Sequence, residues 1–222
     1  MAFNILAQAR IPSAAPALVG LLLLAGCGTA HIQFDNRALD GAQRPEAWNG
    51  TIVVASEPAG ARCVVTREGA QVAEIAATPA NVTLARGNSP AEVRCAAPGR
   101  LETTATLRPL RDFGVQHHQP TGPVGAVNHR IDRETGRVRR FYDVTVALPP
   151  ASFSSAEARD AWFAGRAQTV RADWALHIGR AERSSEATID TAETLRGYLA
   201  ADLAALDRQK AAATVATSRR GR

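Results

Sequence analysis

The alternation of apolar and polar residues predicts that the middle of the chain is built from short β-strands. Apolar positions recur at every second residue in several runs between Thr51 and Arg108, and turn residues such as Pro98-Gly99 separate these runs. A later run from Tyr142 to Leu148 also alternates and ends at Pro149-Pro150, so we expect it to add a strand to the first sheet. The six strands predicted before it cover residues 51–56, 61–66, 71–76, 81–85, 91–95 and 101–108.

The last third of the chain changes to a helical period, with apolar residues at steps of three and four. This pattern predicts two helices, at roughly 155–183 and 190–213, which form an antiparallel hairpin or a coiled coil with another chain. An oligomer through these C-terminal helices is therefore one expectation. The capping boxes predicted to open the helices are Ser154-x-x-Glu157 and Asp190-x-x-Glu193.

These periods together predict an α+β fold in which a small antiparallel β-sandwich-like domain is followed by a C-terminal helical hairpin. The β-domain is expected at residues 50–150, the helical region at 151–213 and a disordered tail at 214–222. With 222 residues, of which 45% are hydrophobic and 5% aromatic, the chain is long enough for one core, although a thin one.

Charge and motifs exclude several classes of function. The formal net charge is only +5, and Lys210 is the single lysine among 26 basic residues, so we interpret the arginine excess as base composition. The sequence contains no P-loop, no G-x-S-x-G, no G-x-G-x-x-G and no paired-carboxylate motif. We therefore expect no catalytic residue, no cofactor and no nucleic-acid partner.

The N-terminal residues carry an export signal. An apolar run of about ten residues ends in Leu24-Ala25-Gly26-Cys27, which is too short to span a bilayer but long enough for a secretory signal. This ending resembles the lipobox of bacterial lipoproteins. The resemblance implies a signal peptide at 1–26, acylation of Cys27, a tether at 27–49 and, because Gly28 follows the cysteine, the periplasmic side of the outer membrane. The alternative is a plain secretory signal with an incidental cysteine.

Two further cysteines, Cys63 and Cys95, remain once Cys27 is assigned to lipid. Cys63 shares a strand face with Val65 and Cys95 shares one with Val93, so both point inward if those faces form the core. Because exported chains meet an oxidising compartment, we expect a disulfide between them. Two buried free thiols are the alternative, and a catalytic thiol is disfavoured because no histidine lies nearby in sequence to activate it.

Four short motifs of the β-rich stretch form a recognisable pattern. They are Val53-Val54-Ala55-Ser56-Glu57-Pro58-Ala59-Gly60-Ala61, Ala77-Thr78-Pro79, Val82-Thr83-Leu84 and the strand that ends at Pro98-Gly99. This pattern resembles the PEGA domain, and the cysteine pair resembles that of a group of small proteobacterial lipoproteins. The resemblance implies a β-sandwich-like binding or spacer module without catalytic residues.

A glycine- and histidine-containing segment at 112–132 is predicted to be a long loop, followed by a turn at Asp132-Arg133-Glu134-Thr135-Gly136. Adjacent histidines splay apart in an extended chain and the spacing matches no zinc motif, so solvated histidines are favoured over a metal site. A second interpretation is that Gly122, Gly125 and the neighbouring small apolar residues touch the membrane or pack beneath the sheet. The candidate ligands considered are Asp112, His117, His118 and His129.

The resulting expectation is a non-enzymatic cell-envelope lipoprotein. Acylated Cys27 would tether a β-domain and a helical arm to the bilayer, where they bind an envelope protein or peptidoglycan. The alternative is a metal-binding or enzymatic periplasmic lipoprotein that uses the loop at 112–132.

Overall fold

The chain adopts an α+β fold in a computed structural model that describes residues 32–33, 36–184 and 189–216. The helices are α1 (Asn36–Leu39), α2 (Gly122–Thr135), α3 (Ala156–Arg183) and α4 (Ala192–Ala212). The strands are β1 (Ile32–Gln33), β2 (Thr51–Glu57), β3 (Arg62–Arg67), β4 (Ala70–Ile75), β5 (Ala80–Thr83), β6 (Ala91–Ala96), β7 (Thr103–Leu107), β8 (Leu110–Arg111), β9 (His117–His118), β10 (Arg139–Arg140), β11 (Val144–Ala147), β12 (Ser152–Phe153) and β13 (Thr214–Val215).

Two sheets enclose the main core. One has the strand order β11-β2-β5 and the other the order β4-β3-β6-β7. Alternate residues of β2 and β6 are buried, which is the period-2 pattern that predicted these strands. All six strands predicted before residue 109 are confirmed, each within two residues of its predicted ends. The buried residues of this core include Ile52, Val54, Val65, Val82, Val93, Phe141 and Leu148.

Strand β11 extends the first sheet, as predicted, but its pairing is parallel. Val144 lies opposite Val54 and Ala147 opposite Glu57, and the amide of Leu148 donates to the carbonyl of Glu57 at 2.7 Å. The chain between β2 and β11 forms β3 to β10 and α2. It then returns to the end of the sheet where β2 begins, so β11 runs parallel to β2. The pair of β11 and β2 is parallel, and the other neighbouring strands of these two sheets are antiparallel.

The disulfide between Cys63 and Cys95 is confirmed. The two cysteines lie directly opposite each other on β3 and β6, and both side chains are buried in the core. The bond links two neighbouring strands that are already hydrogen-bonded, and it closes a chain separation of 32 residues.

The segment predicted to be a tether, 27–49, contacts the domain at separate places within its described part. β1 pairs with β9, Ala38 and Leu39 of α1 are buried against Phe113, and Trp48 belongs to the main core. Residues 40–47, between these contacts, are exposed. The signal peptide at 1–26 and Cys27 lie outside the described residues.

The loop predicted at 112–132 is wrong in its second half, which lies within helix α2. Pro123 occupies the first turn, where its missing N–H costs nothing, and Gly136 ends the helix in the left-handed conformation with φ 65°. Thr135-Gly136 is thus a helix terminus and not a separate turn. The side of α2 that faces the domain carries the buried residues Gly125 and Asp132, so this side of the helix is not apolar.

The C-terminal helices α3 and α4 pack as a hairpin, as predicted. Both caps are shifted by one residue from the predicted boxes, to Ser155 and Thr191, whose side chains accept from the amides three residues later. Ser154 and Asp190 do not cap the helices. Each lies next to another residue of a type that can cap, and the backbone geometry decides which of the two becomes the N-cap.

The hairpin lies against the sandwich. Asp202 of α4 accepts from Trp174 of α3 at 2.9 Å and pairs with Arg108 at 2.7 Å, while Gln209 donates to Thr103 on β7 at 2.6 Å. The predicted tail at 214–222 is wrong at its start, because Thr214–Val215 forms β13 and pairs with β12. Across the described ranges, no helix is long and apolar enough to cross a membrane.

Candidate functional site

Three buried aspartates join distant parts of the chain, and each binds an arginine. A carboxylate removed from water is stable only when charged or polar donors surround it, so these aspartates fix the geometry around them. We refer to them and their partners as the aspartate junction. The pairs are Asp112 with Arg86 at 2.7 Å, Asp132 with Arg137 at 2.9 Å and Asp190 with Arg139 at 2.7 Å.

Asp112 holds the segment before β2 against the chain that leaves β8. Its Oδ2 accepts from the backbone amide of Trp48 at 3.0 Å and from Arg86, and its Oδ1 accepts from the amide of Gly114 at 3.0 Å. Arg86 also donates to the carbonyl of Trp48 at 2.7 Å. The carboxylate is therefore fully satisfied by groups from three parts of the chain.

Asp132 fixes helix α2 to β9. Its Oδ2 accepts from the amide of His118 at 2.8 Å and lies 3.0 Å from Nδ1 of the same histidine, while Oδ1 accepts from Arg137. Burial alone would raise the pKa of Asp132, but the hydrogen bonds from the His118 backbone and from Arg137 outweigh it, so the pKa lies below its usual value. His129, one turn earlier on α2, donates from Nδ1 to the carbonyl of His118 at 2.8 Å.

Asp190 fixes the start of α4. Its Oδ2 accepts from the backbone amide of Arg111 at 2.7 Å, and its Oδ1 accepts from Arg139. Arg139 also donates to the carbonyl of Pro109 at 2.7 Å. The residue predicted to cap α4 thus connects that helix to β8 and β10 instead.

His117 is buried, which contradicts the prediction of solvated histidines in this segment. Arg111 donates from Nη2 to Nδ1 of His117 at 3.0 Å. The opposite nitrogen lies 3.0 Å from the side-chain amide of Gln119. The strand pairing of β9 with β1 draws this side chain inward, a non-local effect that the local sequence does not reveal.

The four candidate metal ligands are engaged with protein groups and do not converge. Asp112 binds Arg86, His117 binds Arg111, and His118 and His129 contribute to the contacts around Asp132. Within the part of the chain that the structure describes, no group of three or more His, Cys, Asp or Glu side chains is placed to hold a metal ion.

His177 belongs to the interface between α3 and the sandwich. Its ring stands edge-on to Tyr142 at 4.8 Å between centroids and packs against Trp174 at 5.9 Å. Burial, and then the nearby charge of Arg180, lower the pKa of His177 below its usual value, while burial raises that of Tyr142.

An open cavity of about 560 Å³ lies between α2, the end of β7 and α4, and we refer to it as the arginine cavity. Arg108 and Arg139 are held there by ion pairs with Asp202 and Asp190, each at 2.7 Å. The sequence does not reveal this site, because its residues are far apart in the chain and arginine is abundant throughout. The charged and aromatic residues that line the cavity are Arg108, His129, Arg130, Arg133, Glu134, Arg139 and Tyr198.

The chemistry available in the arginine cavity is anion binding. Arg130 and Arg133 are exposed on α2, and the single lining carboxylate, Glu134, lies 3.8 Å from Arg130 in an exposed pair that water screens. Guanidinium groups bind carboxylates and phosphates with paired hydrogen bonds.

The chain matches no protein-family model, no curated protein and no solved structure. The lipobox and the PEGA-like pattern therefore stay predictions from the sequence.

Proposed function

We propose that the chain is a non-enzymatic lipoprotein of the bacterial cell envelope. Acylated Cys27 would anchor it at the periplasmic side of the outer membrane, and its β-sandwich and helices would present a binding site to an envelope partner. The partner is a protein or cell-wall polymer that carries carboxylate or phosphate groups.

The arginine cavity is the observation that carries this proposal. Four arginines and one glutamate line it, and Asp202 and Asp190 pair with two of the arginines. A small net positive charge remains, at Arg130 and Arg133, and it favours an anionic ligand. Arg108 and Arg139 are already oriented by Asp202 and Asp190, so less side-chain freedom is lost on binding than at a free surface. The buried carboxylates nearby are all saturated with donors, which leaves them a structural and not a chemical role.

The anchor is supported by the sequence at Leu24-Ala25-Gly26-Cys27, where small residues precede the cysteine as signal cleavage requires. One acyl chain binds a bilayer only marginally, whereas the several chains that lipoproteins carry hold firmly. Incorporation of labelled palmitate into the wild-type chain, and its loss on Cys27→Ser, tests this part directly.

The binding part is tested with purified cell-wall sacculi and the double variant Arg130→Gln and Arg133→Gln. We expect retention on sacculi to fall about tenfold, because two charge-assisted contacts are lost. The matched control is Arg62→Gln and Arg94→Gln, which removes two exposed arginines from the sandwich. Equal retention of both double variants would contradict the assignment of the arginine cavity to a cell-wall ligand.

A further inference from the structure

Helix α2 turns an apolar stripe toward solvent. Val124, Val127 and Ile131 are spaced by three and four residues and therefore lie on one side of the helix. Their exposed fractions are 51%, 48% and 45%. Surface helices normally turn such a stripe to the core, but the inner side of α2 carries Gly125 and Asp132 instead.

The orientation of this stripe is fixed. Asp132 binds His118 and Arg137, so the helix cannot rotate about its axis without leaving a buried carboxylate unpaired. Gly125 lies so close to the preceding segment that a Cβ atom there would stand 2.6 Å from the carbonyl oxygen of Gln119. The outward position of the valines is thus imposed by the inner face of the helix.

The polar border of the stripe completes an amphipathic surface. Arg130 and Glu134 form an ion pair along one flank at 3.8 Å, and both are exposed. The other large apolar side chains exposed in the described residues are Val53, Val72 and Leu176, which lie singly on β2, β4 and α3. The three apolar side chains of α2 are aligned along one helix and form a stripe, whereas these three are isolated on separate elements.

The path of the chain places α2 beside the anchor. β1 begins at Ile32, which pairs with His118, and His118 binds Asp132 of α2. Cys27 precedes Ile32 by five residues, so the linking segment spans at most about 17 Å even when fully extended. A lipid on Cys27 therefore holds this end of the domain close to the bilayer surface.

We propose that α2 lies in the interface of the membrane that holds Cys27, with Val124, Val127 and Ile131 inserted at the boundary between headgroups and acyl chains. The inference rests on the proposed acylation of Cys27. It goes beyond a flexible tether, because the domain would be held in one orientation, with the arginine cavity beside the membrane surface.

The test uses the acylated full-length protein in vesicles of phosphatidylethanolamine and phosphatidylglycerol. A nitroxide is attached at Val127→Cys, and a matched nitroxide at Val72→Cys, an exposed valine on β4. We expect the label at residue 127 to collide with an aqueous nickel chelate about tenfold less often than the label at residue 72, and to remain accessible to oxygen. Equal accessibility to the chelate at both positions would overturn the inference.

Two further outcomes distinguish membrane contact of α2 from contact with a second copy and from loss of the anchor. Shielding of the residue 127 label from both reagents, with broadening between spins, would mean that a second copy covers the stripe, and would overturn the membrane assignment. Palmitate content is measured on the same samples, with wild type alongside. An acylated protein whose residue 127 label stays in water refutes only the membrane contact of α2, whereas an unacylated wild type refutes the anchor and the inference with it.

A second readout does not depend on labels. In the Cys27→Ser background, we expect the triple variant Val124→Ser, Val127→Ser and Ile131→Ser to partition into the same vesicles about tenfold less than its parent. The control variant Val53→Ser and Val72→Ser should partition as its parent does. Unchanged partitioning of the triple variant would contradict the proposal.

Discussion

The β-sandwich and the aspartate junction are held together by different forces. In the sandwich, alternate apolar residues from two sheets bury one another and a disulfide links β3 to β6. In the junction, buried carboxylates bind arginines and backbone amides from distant parts of the chain. Apolar packing loses stability gradually when a group is removed, whereas a buried ion pair that loses one partner leaves an uncompensated charge.

This difference bears on the binding surfaces. The sandwich contributes only an edge of the arginine cavity, whereas the junction fixes the elements that build it, α2 through Asp132 and α4 through Asp190. The junction therefore determines how α2 and α4, the elements of the proposed binding surfaces, are oriented.

The largest effect is expected in the junction. Replacement of Asp112 by alanine removes the carboxylate that accepts from Arg86 and from the amides of Trp48 and Gly114, and should lower the free energy of unfolding by about 3–5 kcal/mol. Urea denaturation measures it. Asp160→Ala is the control, because its ion pairs with Arg159 and Lys210 are exposed, and it should leave the midpoint nearly unchanged. Equal effects of the two variants would contradict the difference in stabilisation expected between a buried and an exposed aspartate.

Removal of the disulfide should have the next largest effect, and within the sandwich. The double variant Cys63→Ala and Cys95→Ala frees a loop with a chain separation of 32 residues, and we expect a loss of about 3–4 kcal/mol of unfolding free energy. Wild-type protein denatured in the presence of a reductant should show the same loss. A change below about 1 kcal/mol would mean that apolar packing alone holds the two strands.

A smaller effect is expected from Asp132 at low pH. Its pKa is lower in the folded chain than its ordinary value of 3.8, so its stabilisation is complete above pH 3.8 and is lost as the pH falls through the folded pKa. Asp132→Asn should lower stability at pH 7 by about 1–3 kcal/mol and flatten the acid limb of the stability profile. Glu102→Gln, an exposed carboxylate on the sandwich, should preserve that limb.

The smallest expected effect belongs to His177. Its pKa is lower in the folded chain than 6.5, so the unfolded chain binds the proton first and stability falls as the pH drops below 6.5. His177→Leu should remove this slope, which is at most about 1.4 kcal/mol per pH unit. Thermal unfolding between pH 7 and pH 5 measures it. An unchanged slope in the variant would assign the effect to other groups.

The sandwich could be predicted from the sequence because its core residues recur at every second position within each strand. Alternation in β2 and β6 reports directly which side chains face the core, and the paired cysteines share those faces. The helical stripes likewise predicted α3 and α4 because apolar residues cover their inner sides.

The junction was not predictable in the same way, since its contacts join residues that are far apart in the chain. Asp112 and Trp48 are 64 positions apart, and nothing in the local sequence marks either as the partner of the other. Helix α2 lies where the sequence predicts a loop, because Gly122, Pro123 and Gly125 are loop signals. Helix caps were missed by one residue where two capping residues are adjacent, as at Ser154 and Ser155.

The proposed membrane anchor at Cys27 can be tested by mass spectrometry of the intact protein, purified from the membranes of cells that express the full chain. We expect a polypeptide that begins at Cys27 and carries the added mass of a diacylglyceryl group and an N-terminal acyl chain. A chain with an unmodified Cys27, or one that begins at any other residue, would contradict it.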